Sequence, residues 1–143
     1  MGRYAREIVI NATPQQVFDY VSQMTRHPEW AQHDLKVEQT SQGAAGAGST
    51  YSSVAHQFGT QKETQTVTEY SPPSLFAFEA KGSLGTARHS FDIRSSGSGS
   101  SVTKSMELTR PSFMARVMTP MISRQTRSSL ASDLERIKQH LES

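Results

Sequence analysis

Cysteine is absent from the 143-residue chain, which excludes disulfide bonds, a thiol nucleophile and a thiolate metal site. The histidines form no His-x-x-x-His or His-Glu-x-x-His pair, so the sequence predicts no metal site. The sequence also contains no Gly-x-Ser-x-Gly motif and no Gly-x-x-x-x-Gly-Lys motif. No motif therefore indicates a hydrolase-type serine nucleophile or a phosphate-binding loop. We therefore expect no metal and no cofactor.

The net charge is small, and long apolar segments are absent from the sequence. The net charge is +2, which is too small to indicate nucleic-acid binding, so no nucleic-acid partner is expected. No apolar run approaches the ~18 residues of a membrane span, and the N-terminus carries no apolar core of signal-peptide length. We expect a soluble, cytoplasmic protein without stable membrane insertion.

The apolar content is low for a folded chain. Apolar residues make up 34% of the sequence, whereas globular domains have about 45–50% on a count that includes glycine. Either a cavity replaces part of the packed interior, or serine and threonine cover the wet face of a sheet, and we favour the second explanation. At this length we expect residues 1–143 to form a single domain.

The first thirty residues combine a strand with a helix start. The strand Arg6–Asn11 runs into Thr13 and Pro14. A threonine hydroxyl can cap the first turn, and a proline at the first helical position gives up an N–H that has no partner there. Apolar side chains then recur at helical spacing: Val17, Val21 and Met24. We expect a second short helix that begins at Pro28 and runs through Trp30.

Further strand candidates lie between turn signals. They are Leu35–Thr40, Thr50–Phe58, Lys62–Tyr70, Leu75–Lys81, Gly85–Arg94 and Val102–Thr109. Several of them alternate apolar with polar residues, which predicts one buried and one wet face. The glycine- and serine-rich segments 43–48 and 95–101 are typical of hairpin loops, so we expect an antiparallel meander.

The last third of the chain changes to a helical period. Its apolar stripe steps by four, three and four residues: Leu130, Leu134, Ile137 and Leu141. Upstream, Pro120 interrupts a methionine-rich apolar segment, and a proline inside a helix removes one hydrogen bond and clashes with the preceding turn. We expect either a kinked helix or a short helix followed by a second one that starts near Pro120.

The segment from Ile8 to Val21, followed by His27-Pro28-Glu29-Trp30, resembles the opening of the START-like, or SRPBCC, superfamily, which includes the polyketide cyclase/dehydrase and lipid transport proteins. The segments 67–73 and 134–142 are also similar to that superfamily. The resemblance covers the whole chain and implies an α+β helix-grip fold. In that fold a curved seven-stranded antiparallel sheet wraps around a long C-terminal helix, two short helices follow strand 1, and a ligand cavity lies between sheet and helix.

The candidate ligand-binding residues are large apolar side chains on the implied inner surfaces. They are Phe58, Phe76, Phe78, Phe91, Met106, Met114, Met118 and Met121. The last three are unbranched and adaptable, which suits a wall facing an irregular apolar ligand. The alternative interpretation is that these methionines fill gaps in an ordinary core.

Two histidines are candidates for acid–base or ligand-orienting roles. His89 alternates with Ala87 and Phe91, and His56 alternates with Val54 and Phe58, which places both on apparently inward faces. The alternative, which we favour, is that each makes a structural hydrogen bond. The other histidines are predicted to lie in loops or on the surface: His27, His33 and His140.

Most charged residues in the second half of the chain are predicted to face solvent. Lys104 alternates with Val102 and Met106, so it could hold an acidic ligand group at a cavity mouth, although we favour a bulge that turns it outward. The charges of the last helix are predicted to form a solvated face: Arg116, Arg124, Arg127, Asp133, Glu135, Arg136, Lys138 and Glu142. Trp30 is predicted to be a packing residue.

The resemblance implies a leading function and two alternatives. The leading hypothesis is a carrier or sensor that binds an apolar or amphipathic small molecule, such as a lipid, polyketide, isoprenoid or aromatic compound. One alternative is an aromatase/cyclase-like enzyme that acts on a polyketide-type substrate with His56 or His89 as acid or base. The other is a protein-interaction module. No sequence pattern indicates the oligomeric state.

Overall fold

The computed structural model describes residues 3–31, 34–56 and 59–143. The strands are β1 (Arg3–Ile10), β2 (Leu35–Gln39), β3 (Thr50–His56), β4 (Thr60–Ser71), β5 (Leu75–Gly82), β6 (Gly85–Ser96) and β7 (Gly99–Pro111). The helices are α1 (Pro14–Val21), a 3₁₀ helix (Met24–Glu29), α2 (Phe113–Val117) and α3 (Thr119–Glu142). Phe58, the predicted end of the third strand, and His33 lie outside the described residues.

The start of α1 has the predicted chemistry. The Thr13 hydroxyl accepts a hydrogen bond from the Gln16 N–H, and the Gln16 side chain accepts one from the Thr13 N–H, with Pro14 at the first helical position. This reciprocal pair satisfies two donors that a helix leaves without a partner at its N-terminus. The prediction that Pro28 opens the second helix was wrong. The 3₁₀ helix begins four residues earlier at Met24 and contains Pro28 next to its last residue.

Within the described ranges the strands form a single antiparallel sheet in the order β1-β7-β6-β5-β4-β3-β2. From β2 to β7 the order follows the chain, and β1 closes the other edge against β7. The predicted seven-stranded antiparallel sheet is therefore confirmed. Its long central strands, β4 to β7, carry most of the inward-facing residues that matter for the site.

The helical third of the chain breaks where proline predicted a break. α2 ends at Val117, and α3 starts at Thr119 with Pro120 in its first turn, so the chain forms two helices and not one kinked helix. α3 packs against β1 and α1. Its stripe residues Leu130, Leu134 and Ile137 are buried, which confirms the helix-grip fold.

The apolar interior is divided into two clusters. The larger cluster consists of residues from α1 and from the inner face of the sheet, and it includes Phe18, Trp30, Phe76 and Phe91. The smaller cluster, at the end of the sheet nearest α2, consists of Ala87, Leu108, Ala115 and Ile122, with Leu84, Met106 and Met118 packed against it. Residues of both clusters line the space described next.

A candidate ligand cavity between the sheet and the C-terminal helix

Described residues line a first chamber between α3 and the inner face of the sheet, with a volume of about 180 Å³. We call it the α3 chamber. Its helix side is formed by Ile122, Gln125, Thr126, Ser129, Leu130 and Asp133. Its sheet side includes Glu63, Ala80, Ala87, His89, Lys104, Met106 and Leu108. The helix side is thus more polar than the sheet side.

A second chamber, which we call the Trp30 chamber, has a volume of about 120 Å³. It lies beside the 3₁₀ helix, β2 and β3, and its apolar lining includes Met24, Trp30, Leu35, Val37 and Phe78. Its polar lining includes His27, Ser53 and Gln65. Five residues line both chambers, and we call them the shared wall: Glu63, Ala80, His89, Lys104 and Asp133.

Lys104 is an inward-facing cation in the shared wall. It is 6% exposed, and its Nζ lies 5.8 Å from the ring centroid of Trp30 and 5.6 Å from that of Phe91. Burial lowers the pKa of Lys104, and the nearby Asp133 carboxylate opposes that shift. The prediction that a bulge turns Lys104 outward was wrong, because β6 and β7 pair in regular register there, with Phe91 opposite Lys104.

Asp133 is the buried counter-ion that the sequence reasoning missed. This residue of α3 is 7% exposed, and its carboxylate lies 3.9 Å from Lys104 Nζ and 3.8 Å from a guanidinium nitrogen of Arg136. The prediction that Asp133 belongs to a solvated helix face was therefore wrong. The missed signal is a second helical stripe that steps by four, three and four residues: Ile122, Thr126, Ser129 and Asp133. Because half of this stripe is hydroxyl-bearing and one member is charged, a search for apolar periodicity does not find it.

His89 faces the cavity, as its alternation on β6 predicted. Its ring stacks on Phe78 with centroids 4.9 Å apart and an interplanar angle of 8°. Burial, followed by the positive charge of Lys104 and the proximity of His27, lowers the pKa of His89 to about 3. The imidazole is therefore neutral near pH 7 and offers one donor and one acceptor to a ligand.

His56 does not join this site. It ends β3 with a side chain that is 58% exposed, 4.0 Å from the Asp34 carboxylate. The prediction that Val54 and His56 face inward was wrong. The buried residues of β3 are Tyr51, Ser53 and Ala55, so the inward face is offset by one residue from the predicted one. A displacement of one residue transfers every side chain of a strand to the opposite face.

His27 was predicted to be a surface residue, and that prediction was wrong. It is 4% exposed, its Nε2 lies 2.9 Å from the Val21 carbonyl oxygen, and its ring centroid lies 4.4 Å from that of Trp30. Burial lowers its pKa to about 4, with a further lowering by Lys104 and an opposing contribution from the hydrogen bond to Val21. His140 is exposed, as expected.

Two buried polar atoms belong to residues that line the Trp30 chamber. Trp30 and Gln65 are 3% and 5% exposed. Within the described part of the chain, the Trp30 Nε1–H and the Gln65 Oε1 have no hydrogen-bond partner, whereas Gln65 Nε2 donates to Ser53 Oγ at 2.6 Å. An unsatisfied buried donor or acceptor costs about 1–3 kcal/mol, so a ligand that supplies partners to these atoms gains an advantage.

The predicted ligand-binding residues occupy different places in the fold. Phe78 and Met106 line the chambers, whereas Phe76 and Phe91 are fully buried in the larger cluster behind them. Met118 packs in the smaller cluster. Phe58 lies outside the described residues.

Met114 and Met121 are 55% and 45% exposed, so the prediction that the methionines line the cavity was wrong for them. α2 presents Ala115 to the smaller cluster and leaves its opposite side in solvent. Phe113 and Val117, which are 83% and 65% exposed, lie on that outer side.

Among the described residues, no helix has the length and apolar character needed to cross a membrane. No group of three or more histidine, aspartate or glutamate side chains in the described ranges is arranged to hold a metal ion.

A seven-stranded antiparallel sheet that packs against a long C-terminal helix, with two short helices after its first strand, defines a helix-grip protein. Residues 1–142 match the family described as polyketide cyclase / dehydrase and lipid transport. The chain belongs to this family, as its opening segment predicted. No curated protein sequence matches the chain significantly.

Solved structures confirm the fold at low sequence identity. Protein CV1439 from Chromobacterium violaceum is 12% identical with a TM-score of 0.77, and the match covers 100% of this chain and 99% of that one. TTHA0849 from Thermus thermophilus is 14% identical with a TM-score of 0.76, covering 98% of this chain and 97% of that one. DynU16, a putative protein in the dynemicin biosynthetic locus, is 12% identical with a TM-score of 0.68, covering 99% of this chain and 47% of that one.

Proposed function

We propose that the protein binds an apolar or amphipathic small molecule between the sheet and α3. The observation that carries this proposal is the pair of adjacent chambers, each lined by apolar side chains together with the polar groups of the shared wall. Binding sites for small molecules are typically concave and largely apolar, with a few polar groups that fix the orientation of the ligand. Membership of a family that includes lipid transport and polyketide-processing proteins supports the same class of ligand.

The chamber volumes favour a compact ligand. A cavity of about 150 Å³ accommodates benzene, so the α3 chamber of about 180 Å³ fits one aromatic ring with a small substituent. The Trp30 chamber of about 120 Å³ fits a smaller group. A short aromatic or polyketide-derived compound therefore fits better than a long acyl chain.

The expected affinity for a single-ring probe is modest. Burying about 200 Å² of aromatic surface at about 25 cal/mol per Å² gives about 5 kcal/mol, and the loss of translational and rotational freedom removes part of that gain. We expect a Kd of about 1 mM or weaker for such a probe. A natural ligand that occupies both chambers and pairs with polar atoms of the shared wall would bind more tightly.

An enzyme of the cyclase or dehydratase type is the second candidate function. The observation that favours it is the shared wall, because Glu63, His89, Lys104 and Asp133 bring two carboxyls, an imidazole and an amine to one place. His89, with a pKa of about 3, is a weak base near pH 7, so it suits ligand orientation better than proton abstraction. The relation in fold to DynU16, from a biosynthetic locus, is compatible with this second candidate.

Titration calorimetry with benzyl alcohol tests the binding proposal. Ser129→Leu places a larger side chain in the α3 chamber, and Ser128→Leu makes the same change one residue away, at an exposed position of α3. We expect the wild type and Ser128→Leu to bind the probe and Ser129→Leu to bind it at least about tenfold more weakly, a difference of about 1.4 kcal/mol. Equal binding by all three proteins, or binding by none, contradicts the proposal.

A further inference from the structure

The shared wall contains one buried amine and several groups that can move protons. Lys104 lines both chambers together with Glu63, His89 and Asp133. Its Nζ lies beside the aromatic rings of Trp30 and Phe91, at 5.8 and 5.6 Å from their centroids. This combination exceeds what simple retention of an apolar ligand requires, because buried charged groups carry a desolvation cost that apolar residues avoid.

We infer that Lys104 is a reactive amine that forms a Schiff base with a compact aldehyde or ketone held in the cavity. This inference rests on the proposed function, because the carbonyl compound has to occupy the α3 chamber. It narrows the ligand class to carbonyl compounds and assigns a covalent role to Lys104. Asp133 and Glu63 act as the proton-transfer groups, and His89 orients the carbonyl oxygen.

The ion pair between Lys104 and Asp133 is loose for a purely structural contact. Its Nζ–Oδ2 distance is 3.9 Å, whereas charge-assisted hydrogen bonds of this kind are about 2.7–2.9 Å long. The exposed pair Lys138–Glu142 in the same chain closes to 2.6 Å. Asp133 is also shared with Arg136 at 3.8 Å. The spacing leaves Nζ close enough to Asp133 for proton exchange through small motions.

Burial prepares the amine for nucleophilic attack. Desolvation lowers the pKa of Lys104, although Asp133 opposes the shift. A lysine with a lowered pKa is neutral more often near pH 7 than an exposed lysine, for which about one amine in a thousand is neutral. Burial also raises the pKa of Glu63, so this carboxyl can hold a proton closer to neutral pH.

The covalent step balances with groups that are already present. The Lys104 ammonium gives one proton to Asp133, and its nitrogen then attacks the carbonyl carbon while the π electrons move to oxygen. Asp133 returns that proton to the oxygen, and Asp133 or Glu63 then carries a second proton from nitrogen to oxygen. The C–O bond breaks, water leaves, and the nitrogen lone pair forms the C=N bond. The resulting iminium keeps the positive charge of the ammonium, opposite the Asp133 carboxylate.

Reductive trapping tests this chemistry on the intact protein. The protein is incubated near neutral pH with benzaldehyde and cyanoborohydride, which delivers hydride to an iminium carbon and leaves a stable secondary amine. Peptide mapping by mass spectrometry then gives the labelling rate of each lysine. We expect Lys104 to be labelled about tenfold faster or more than the exposed Lys62 and Lys81, because a cavity that holds the aldehyde beside Nζ raises its effective concentration there and burial lowers the pKa of the amine.

Three variants distinguish covalent reaction at Lys104 from mere entry of the aldehyde into the cavity. Ser129→Leu should reduce labelling of Lys104, and Ser128→Leu should not. Lys104→Arg keeps the positive charge beside Asp133 and should abolish the fast labelling. Calorimetry with benzyl alcohol, which matches benzaldehyde in size and forms no imine, runs in parallel. Binding of benzyl alcohol without preferential labelling of Lys104 overturns the Schiff-base inference and leaves the binding proposal standing, whereas loss of both overturns the two together.

Discussion

The buried histidine at position 27 predicts a specific loss of stability in acid. His27 is 4% exposed, and burial lowers its pKa from 6.5 to about 4. In the unfolded chain the imidazole takes up a proton below about pH 6.5, whereas the folded protein resists protonation until about pH 4. Protonation therefore favours unfolding, so the stability that His27 contributes is fully present above pH 6.5 and declines as the pH falls from 6.5 towards 4.

The magnitude follows from the shift in pKa. One unit of difference in pKa corresponds to about 1.4 kcal/mol, and over the part of this range between pH 7 and pH 5 the free energy of unfolding should fall by about 2 kcal/mol because of His27. His89, with a pKa of about 3, should contribute a decrease of similar size. Lys104 contributes to both shifts, because its positive charge disfavours a second cation nearby.

The assay compares the wild type with His27→Gln at pH 7 and pH 5. Glutamine does not titrate and keeps a side-chain N–H that can donate to the Val21 carbonyl, which lies 2.9 Å from Nε2 of His27. Urea unfolding is followed through the fluorescence of Trp30, the only tryptophan in the sequence. We expect the decrease in unfolding free energy between the two pH values to be about 2 kcal/mol smaller in His27→Gln than in the wild type.

A matched control uses the same substitution at an exposed histidine. His56→Gln changes a side chain that is 58% exposed, so the variant should lose as much stability on acidification as the wild type. An equal decrease in the wild type and His27→Gln would refute the reasoning, because it would mean that His27 is protonated to the same extent in the folded and unfolded states.

Two further predictions concern stability and are measured by urea unfolding at neutral pH. Thr13→Ala removes the hydroxyl that accepts from Gln16 N–H and should cost about 1 kcal/mol, and an unchanged midpoint would contradict the assigned cap. Lys104→Met removes the buried cation beside the Asp133 carboxylate and should cost about 3–5 kcal/mol. The double variant Lys104→Met with Asp133→Leu should recover most of that loss, and a loss equal to the sum of the two single variants would mean that the pair is not coupled.

Local signals in the sequence were sufficient to predict most of the helices and strands. Thr13 and Pro14 placed the start of α1, and Pro120 placed the break between α2 and α3. Turn signals between alternating segments indicated the strands, because hairpin loops and one-sided burial both leave marks within a few residues. The strand ends were less accurate, since their extent depends on pairing with neighbouring strands.

The polar side of the site was the part that sequence patterns concealed. A lysine that alternates with apolar residues, such as Lys104, suggests that the inward and outward faces of the strand have been assigned wrongly. Its counter-ion removes that objection, but Asp133 lies on another element twenty-nine positions along the chain, so no local pattern connects the two residues. β3 gave the wrong face because Tyr51, Ser53 and Ala55 form a weaker apolar alternation than Val54 with Phe58. Each of these errors reflects tertiary contacts that override local periodicity.

The low apolar content also has a more specific explanation than serine- and threonine-rich solvent faces alone. The interior of the described residues includes the two chambers and a helix stripe of mixed polarity, as well as packed apolar clusters. A cavity replaces side-chain volume that a fully packed domain would fill with leucine, isoleucine or phenylalanine. The explanation by a threonine-rich wet face applies as well, because the exposed side of β4 carries Thr60, Thr64, Thr66 and Thr68.

Chemical-shift mapping tests the central claim, that the space between the sheet and α3 is a ligand site. Benzyl alcohol is added to ¹⁵N-labelled protein, and the amide shifts of the wild type and Ser129→Leu are compared. We predict that the largest shifts in the wild type fall at Ala80, His89, Lys104 and Ser129, and that they disappear in Ser129→Leu. Shifts confined to the exposed outer side of α2, around Phe113 and Val117, would contradict the account and assign small-molecule binding to the surface.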